Sequence, residues 1–154
     1  MVKTITVALI GNPNTGKSSI FNSLTGLKQK VANYPGVTVE KKTGFFNINR
    51  TTDVQLIDLP GSYGLNTKSI DQSIVFDLLL NKNNKDFPDL VVIISDVENL
   101  KRNLLLFTQI KDLEIPSILA INMSDQLKLK GIEIDIKKLE QKLDTKIVLI
   151  SAKK

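Results

Sequence analysis

The stretch "GNPNTGKS", residues 11–18, lies between the apolar run "TITVALI" and "SIFNSLTG". It follows the spacing G-x-x-x-x-G-K-[ST], in which a glycine-rich loop joins a buried strand to a helix and holds phosphate. No other feature constrains the fold as much, because the loop needs a strand before it and a helix after it. Gly11 and Gly16 let the backbone turn tightly and aim successive N–H groups at phosphate oxygens. The helix starting near Lys17 adds its positive end, and the Lys17 ammonium reaches the outer phosphates. Ser18 offers its hydroxyl to Mg²⁺. Thr15, Gly16, Lys17, Ser18 and Ser19 are therefore the first candidate nucleotide-binding residues. A plain glycine turn with an exposed lysine would explain the loop alone, but not its place between strand and helix.

Apolar periodicity then alternates along the chain. Strand-like runs stand at "TITVALI", "VTVEKKTGFFNI", "DVQLIDL", "DLVVIIS", "PSILAIN" and "KIVLIS". Helical spacing places Ile20, Phe21 and Leu24 on one face, then Ile70, Ile74 and Leu78, then Leu100, Leu104 and Phe107, then Ile136, Leu139 and Leu143. The second and third runs adjoin across "NRTTD" and predict an antiparallel hairpin. The remainder reads as helix followed by parallel strand. The expected fold is α/β, a Ras-like P-loop G domain: a six-stranded, mostly parallel sheet with one antiparallel edge strand and helices on both faces. One domain spans 1–154. Only "AKK" follows the last strand, so the domain is expected to be cut before its final helix.

Composition narrows the chemistry. The sequence has no cysteine and no histidine, which excludes disulfides and Cys/His zinc sites and leaves metal binding to oxygen ligands. The longest aliphatic run, "LVVII", is far too short to cross a bilayer, and a soluble chain is expected. The net charge of +5 suits a polyanionic ligand, but the lysines are scattered and form no basic arm, so no nucleic acid is expected as a partner.

The phosphate loop does not distinguish ATP from GTP. "NMSD", Asn122 to Asp125, closes the fifth run. There Asp125 could accept the ring N–H and exocyclic amine of guanine, a donor pair that adenine lacks. Met123 could lie on the base, and Asn122 could tie this loop to the phosphate loop. Alone, "NMSD" would be an ordinary turn or helix cap. Ser151 and Ala152 end the sixth run, where the Ala152 amide could donate to the guanine oxygen.

Two segments could sense a third phosphate. Asp58 in "DLPG" could hold Mg²⁺ through water while the Gly61 amide donates to the γ-phosphate. Thr38 in "NYPGVTVE" could complete the Mg²⁺ shell when a γ-phosphate is present. The segments from about Gln29 to Val37 and from Ser62 to Ile70 are expected to respond to that phosphate.

The ordered set of "GNPNTGKS", Thr38, "DLPG", "NMSD" and "SA" resembles the translation-factor-related G proteins. "NYPGVTVEKKTG", "DLPGSYGL" and "NLKRNLLL" resemble the N-terminal cytoplasmic G domain of the FeoB family of bacterial ferrous-iron transporters. The resemblance implies a GTP- and GDP-binding GTPase at the cytoplasmic face of the inner membrane. It implies helical and transmembrane regions in the same parent polypeptide, with Fe²⁺ handled by the parent and not bound here; a homo-oligomer is open. It also implies a role for Asn14, because in K⁺-dependent relatives an asparagine at this place coordinates potassium. Asn14, Lys17, Thr38 and Gly61 are then the catalytic candidates, with Ser18, Thr38 and Asp58 for Mg²⁺ and Asn14 for K⁺.

One departure bears on rate. Where Ras has a glutamine after the "DxxG" glycine, this chain has Ser62, too short to position water in the same pose. Hydrolysis is expected to be slow and K⁺-stimulated. Two alternatives stand beside it: a nucleotide-sensing gating module with negligible hydrolysis, and a ribosome-assembly GTPase of the Era or Der type.

Overall fold

The computed structural model describes residues 1–65 and 69–152. Its elements are β1 (Lys3–Gly11), α1 (Lys17–Thr25), β2 (Gln29–Asn33), β3 (Glu40–Asn49), β4 (Thr52–Asp58), α2 (Ile70–Leu80), β5 (Leu90–Asp96), α3 (Leu100–Lys111), β6 (Ser117–Asn122), α4 (Asp125–Leu129), α5 (Ile136–Leu143) and β7 (Lys146–Leu149). The strands form one sheet in the order β2-β3-β4-β1-β5-β6-β7. β4, β1, β5, β6 and β7 are parallel neighbours.

The expected hairpin forms: β3 pairs antiparallel with β4, from Lys42 opposite Asp58 to Asn49 opposite Thr52. The six expected strands become seven because β2, "QKVAN", pairs antiparallel with β3, Gln29 opposite Gly44 and Asn33 opposite Glu40. β3 is thus the reversed strand, and β2, not β3, forms the edge. β2 was invisible to periodicity because it buries almost nothing; four of its five residues are exposed, and backbone pairing alone makes it a strand. β3 begins at Glu40, so Thr38 falls in the preceding loop.

Alternation along β1 builds two cores. Ala8 and Ile10 face a cluster with Leu78 and Leu79 of α2 and Leu106, Phe107 and Ile110 of α3, against which Ile136, Leu139 and Leu143 of α5 pack. Val7 and Leu9 face the other way, onto Ile20 and Phe21 of α1. Gly44 lets α1 approach β3, since a Cβ there would lie 2.1 Å from Thr25 Cγ2. The buried face of α2 differs from the expected one: Val75, Leu78 and Leu79 turn inward and Ile70 is exposed. Its start is set by Ser69, whose hydroxyl accepts from the Gln72 amide at 3.3 Å. No helix among the described residues is long and apolar enough to cross a membrane. Residues 66–68 of the second expected switch segment, and 153–154 at the expected cut, lie outside the described residues.

Candidate functional site

The site gathers at the carboxyl ends of the central parallel strands, where an open α/β sheet binds ligands. β1 ends at Gly11 and releases a loop in which Asn14 (φ 65°) and Gly16 (φ 85°) both adopt left-handed backbone. Gly16 is required twice over. Its φ disfavours a side chain, and a Cβ there would sit 2.2 Å from Asn122 Nδ2. The loop is braced by Thr15, whose hydroxyl donates to the Asn12 carbonyl at 2.9 Å.

Asn122, at the end of β6, holds three loops together. Its Nδ2 donates to the Thr15 carbonyl at 3.0 Å, and its Oδ1 accepts from the Ala152 amide at 3.0 Å. Nothing close in sequence could make these bonds. Both depend on β1, β6 and the chain after β7 ending on the same side of the sheet. The first bond is the expected tie between the Asn122 loop and the phosphate loop. The second differs from expectation, because the Ala152 amide meets Asn122 where the sequence reading reserved it for a guanine oxygen.

Two adjoining cavities result. One, of about 400 Å³, is lined by Asn14, Gly16, Lys17, Ser18, Ser19 and Gly61, together with Asn12 and Pro13. The other, of about 270 Å³, is lined by Asn122, Met123, Asp125, Ser151 and Ala152, with Glu98 and Gln126. Gly16 and Ser19 line both, so the two cavities adjoin and give the cleft a phosphate-like and a base-like end. At the base-like end Met123 has left-handed backbone (φ 61°), a strained conformation for a non-glycine residue. The Ser151 hydroxyl donates to Asp125 Oδ1 at 2.9 Å, orienting the carboxylate that sequence reasoning assigned to guanine. At the phosphate-like end Lys17 and Asp58 form an ion pair with side chains only 11% and 8% exposed.

The structure therefore brings together Asn14, Thr15, Gly16, Lys17, Ser18, Ser19, Asp58, Gly61, Asn122, Met123, Asp125, Ser151 and Ala152. It does not bring in Thr38, which is exposed in the loop after β2 and lines neither cavity. The nearby Asn33, Tyr34, Pro35 and Val37 line a different cleft against α2. Ser62 is buried, and its hydroxyl donates to the Gly64 carbonyl, so the hydroxyl is already engaged within its own turn. Sequence reasoning missed the Ser151 contact to Asp125 and the presence of Glu98 and Gln126 at the cleft. Glu98 belongs to no motif and reaches the cleft only because β5 and β6 are neighbours.

The donor set suits Mg²⁺. Ser18 lines the same cavity as Lys17, the Asp58 carboxylate pairs with Lys17, and a hard cation that keeps several waters needs few protein oxygens. No cluster of three or more acidic groups occurs among the described residues, so the remaining ligands would be phosphate oxygens and water. For K⁺ the fit is incomplete in this conformation. Asn14 lines the phosphate-like end, whereas Asn33, Tyr34 and Pro35, in the loop whose backbone carbonyls would complete a K⁺ shell, line the cleft against α2.

Comparison with known proteins places the chain. Residues 5–154 match the family model FeoB_N, "Ferrous iron transport protein B". The chain is 40% identical over 152 residues to the Fe(2+) transporter FeoB of Leptospira biflexa, covering 99% of this chain and 21% of the relative. It thus spans about a fifth of the length of such relatives. The crystal structure of the cytosolic domain of T. maritima FeoB in a GDP form superposes with a TM-score of 0.91 at 44% identity, over 97% of this chain and 57% of that one. The G domain of the same T. maritima protein gives a TM-score of 0.87 at 43% identity, over 97% and 89%. These matches set aside the Era/Der alternative. The chain belongs to the FeoB ferrous iron transport family and has the fold of its N-terminal G domain.

Proposed function

We propose that this chain binds GTP and GDP with Mg²⁺, hydrolyses GTP slowly with K⁺ stimulation, and through that cycle regulates Fe²⁺ uptake by an attached membrane transporter. The observation that carries the reading is the pair of adjoining cavities with Lys17 in one and the Ser151-supported Asp125 in the other. The GDP form of the T. maritima domain supports the nucleotide class. The family's membership among Fe(2+) transporters supports the iron context and a site of action on the cytoplasmic face of the membrane.

In this reading the chain's own groups divide the work. Asp125 accepts the two guanine N–H donors, and Met123 covers the ring. The backbone from Asn14 to Lys17 donates to the β-phosphate oxygens. Lys17 exchanges its contact with Asp58 for phosphate, which frees the Asp58 carboxylate toward the cation. Bound Mg²⁺ neutralises charge on the β- and γ-phosphates. The Gly61 amide, already on the phosphate-like end, donates to the γ-phosphate. Thr38 must swing inward to join the cation, because it is exposed outside the cleft. The buried Ser62 leaves no side chain in the usual water-positioning place, so the rate in Na⁺ falls near the roughly 10⁻⁴ to 10⁻³ s⁻¹ of an unassisted G protein.

The experiment is a titration of the chain with GTP, GDP and ATP in Mg²⁺. At least about a hundredfold preference for guanine nucleotides is expected, since an adenine would leave polar groups of the base pocket unpaired at a few kcal/mol. Equal affinity for GTP and ATP would overturn the reading. The Ser62 geometry also favours a second reading, a nucleotide-sensing module that barely turns over. GTP affinity without turnover in K⁺ would support it.

A further inference from the structure

The segment around Gly61, from Leu59 to Leu65, is anchored at both ends, and the second anchor lies outside every nucleotide motif. Its beginning is tied to β1: the Leu59 amide donates to the Leu9 carbonyl and the Ser62 amide to the Gly11 carbonyl, each at 3.0 Å. Its continuation is tied to α3. The Arg102 guanidinium lies over the Tyr63 ring, 4.6 Å from its centroid, and Gln109 Oε1 accepts from the Leu65 amide at 2.9 Å. Arg102 and Gln109 are seven residues apart, two turns of helix, so one face of α3 makes both contacts. Among the described residues the Arg102 guanidinium has no ion pair or hydrogen bond that would give it another role. Arg102, Tyr63 and Asn14 line a common cavity of about 150 Å³. Asn12 and Pro13 of the phosphate loop line it too, and none of the residues of the base-like end does.

Held this way, Gly61 packs against Pro13, at a distance where a Cβ would be 3.3 Å from the proline ring, and it lines the phosphate-like end of the cleft. We infer that Arg102 is a positioning residue for GTP hydrolysis: by stacking on Tyr63 it keeps the chain after Gly61 docked on α3, so that the Gly61 amide is in place before the γ-phosphate arrives. The inference rests on the GTPase reading above. Arg102 touches no nucleotide and acts through Tyr63. An amide already in place needs no reorganisation during transfer, which is where preorganised donors contribute to rate. A planar guanidinium stacks on an aromatic face in a way an ammonium does not.

The test combines turnover with a report from Tyr63 itself. The sequence has two tyrosines and no tryptophan, so a Tyr34→Phe background leaves Tyr63 as the sole emitter. In that background Arg102→Ala should make Tyr63 emission markedly more accessible to acrylamide. In the otherwise unmodified chain, Arg102→Ala and Tyr63→Leu should each lower kcat for GTP about two- to fivefold, the factor an exposed cation–π contact is worth. KM, GDP affinity and the thermal midpoint should stay close to those of the parent chain. Tyr63→Phe, which keeps the ring, should keep the rate, and the Arg102→Ala/Tyr63→Leu pair should be no slower than either single change. Unchanged kcat in both single variants overturns the inference, as does a kcat loss without increased quenching. If the parent chain shows no GTP turnover, the GTPase reading fails. Quenching then decides alone whether Arg102 holds Tyr63: unaltered accessibility overturns the stack, and increased accessibility upholds it.

Discussion

The Ser151 hydroxyl donates to Asp125 Oδ1 at 2.9 Å, joining the chain after β7 to the start of α4 across 26 positions. The bond helps to orient the Asp125 carboxylate, which the proposed function assigns to the base. Asp125→Asn should therefore move preference from guanine toward xanthine nucleotides, because the new amide complements the carbonyl that xanthine carries in place of the guanine amine. Ser151→Ala should retain guanine preference but weaken GDP binding about tenfold, the equivalent of one charge-assisted hydrogen bond. Titration with GDP and XDP checks both; no gain for XDP in Asp125→Asn would remove Asp125 from the base site.

Potassium tests the proposed role of Asn14. The left-handed backbone at Asn14 places this residue on the phosphate-like end. K⁺ held there would put positive charge between the β- and γ-phosphates, where negative charge develops during transfer. Turnover should rise at least about tenfold in K⁺ over Na⁺ at equal ionic strength, a barrier change of about 1.4 kcal/mol. Asn14→Ala should abolish that ratio and leave GDP affinity nearly intact. Equal rates in the two salts would return Asn14 to a turn-forming role.

Thr38 is exposed and outside the cleft, so removing its hydroxyl has little to disturb when the third phosphate is absent. Thr38→Ala should leave GDP affinity within about twofold while lowering GTP turnover at least about tenfold, because the hydroxyl acts only after the loop swings in. Calorimetry with GDP and phosphate release from GTP separate the two effects. A matching loss of GDP affinity would show that Thr38 contributes in the diphosphate state.

Tyr34 predicts a pH effect. It is buried, its hydroxyl has no hydrogen-bond partner among the described residues, and burial, reinforced by Asp86 and Asp58, pushes its phenol above the ordinary tyrosine range. The folded state thus holds the proton more tightly than the unfolded chain. This contribution is fully present below the ordinary value of about 10 and is lost as pH rises above it. Tyr34→Phe should unfold at least as late as the parent chain at pH 7, since it removes an unpaired buried hydroxyl. It should also lose less stability between pH 9 and pH 11. Denaturant midpoints at the two pH values measure the difference, and parallel losses would show that Tyr34 ionises freely.

The sequence by itself determined the order of buried strands and amphipathic helices, the β3–β4 hairpin, and the positions of the phosphate loop, "DLPG" and "NMSD". These are local signals: burial imposes a period of two or 3.6 on the residues that carry it, and a tight phosphate loop needs glycine where Gly16 stands. Only the tertiary structure decided that "QKVAN" is the edge strand, because its pairing with β3 uses backbone groups and leaves no apolar trace. The tertiary structure alone also paired Lys17 with Asp58 and Ser151 with Asp125, and set Arg102 over Tyr63. It left Thr38 outside the cleft. Those partners are polar and far apart in the chain, and their meeting depends on the strand order that brings the ends of β1, β4, β5 and β6 to one rim of the sheet.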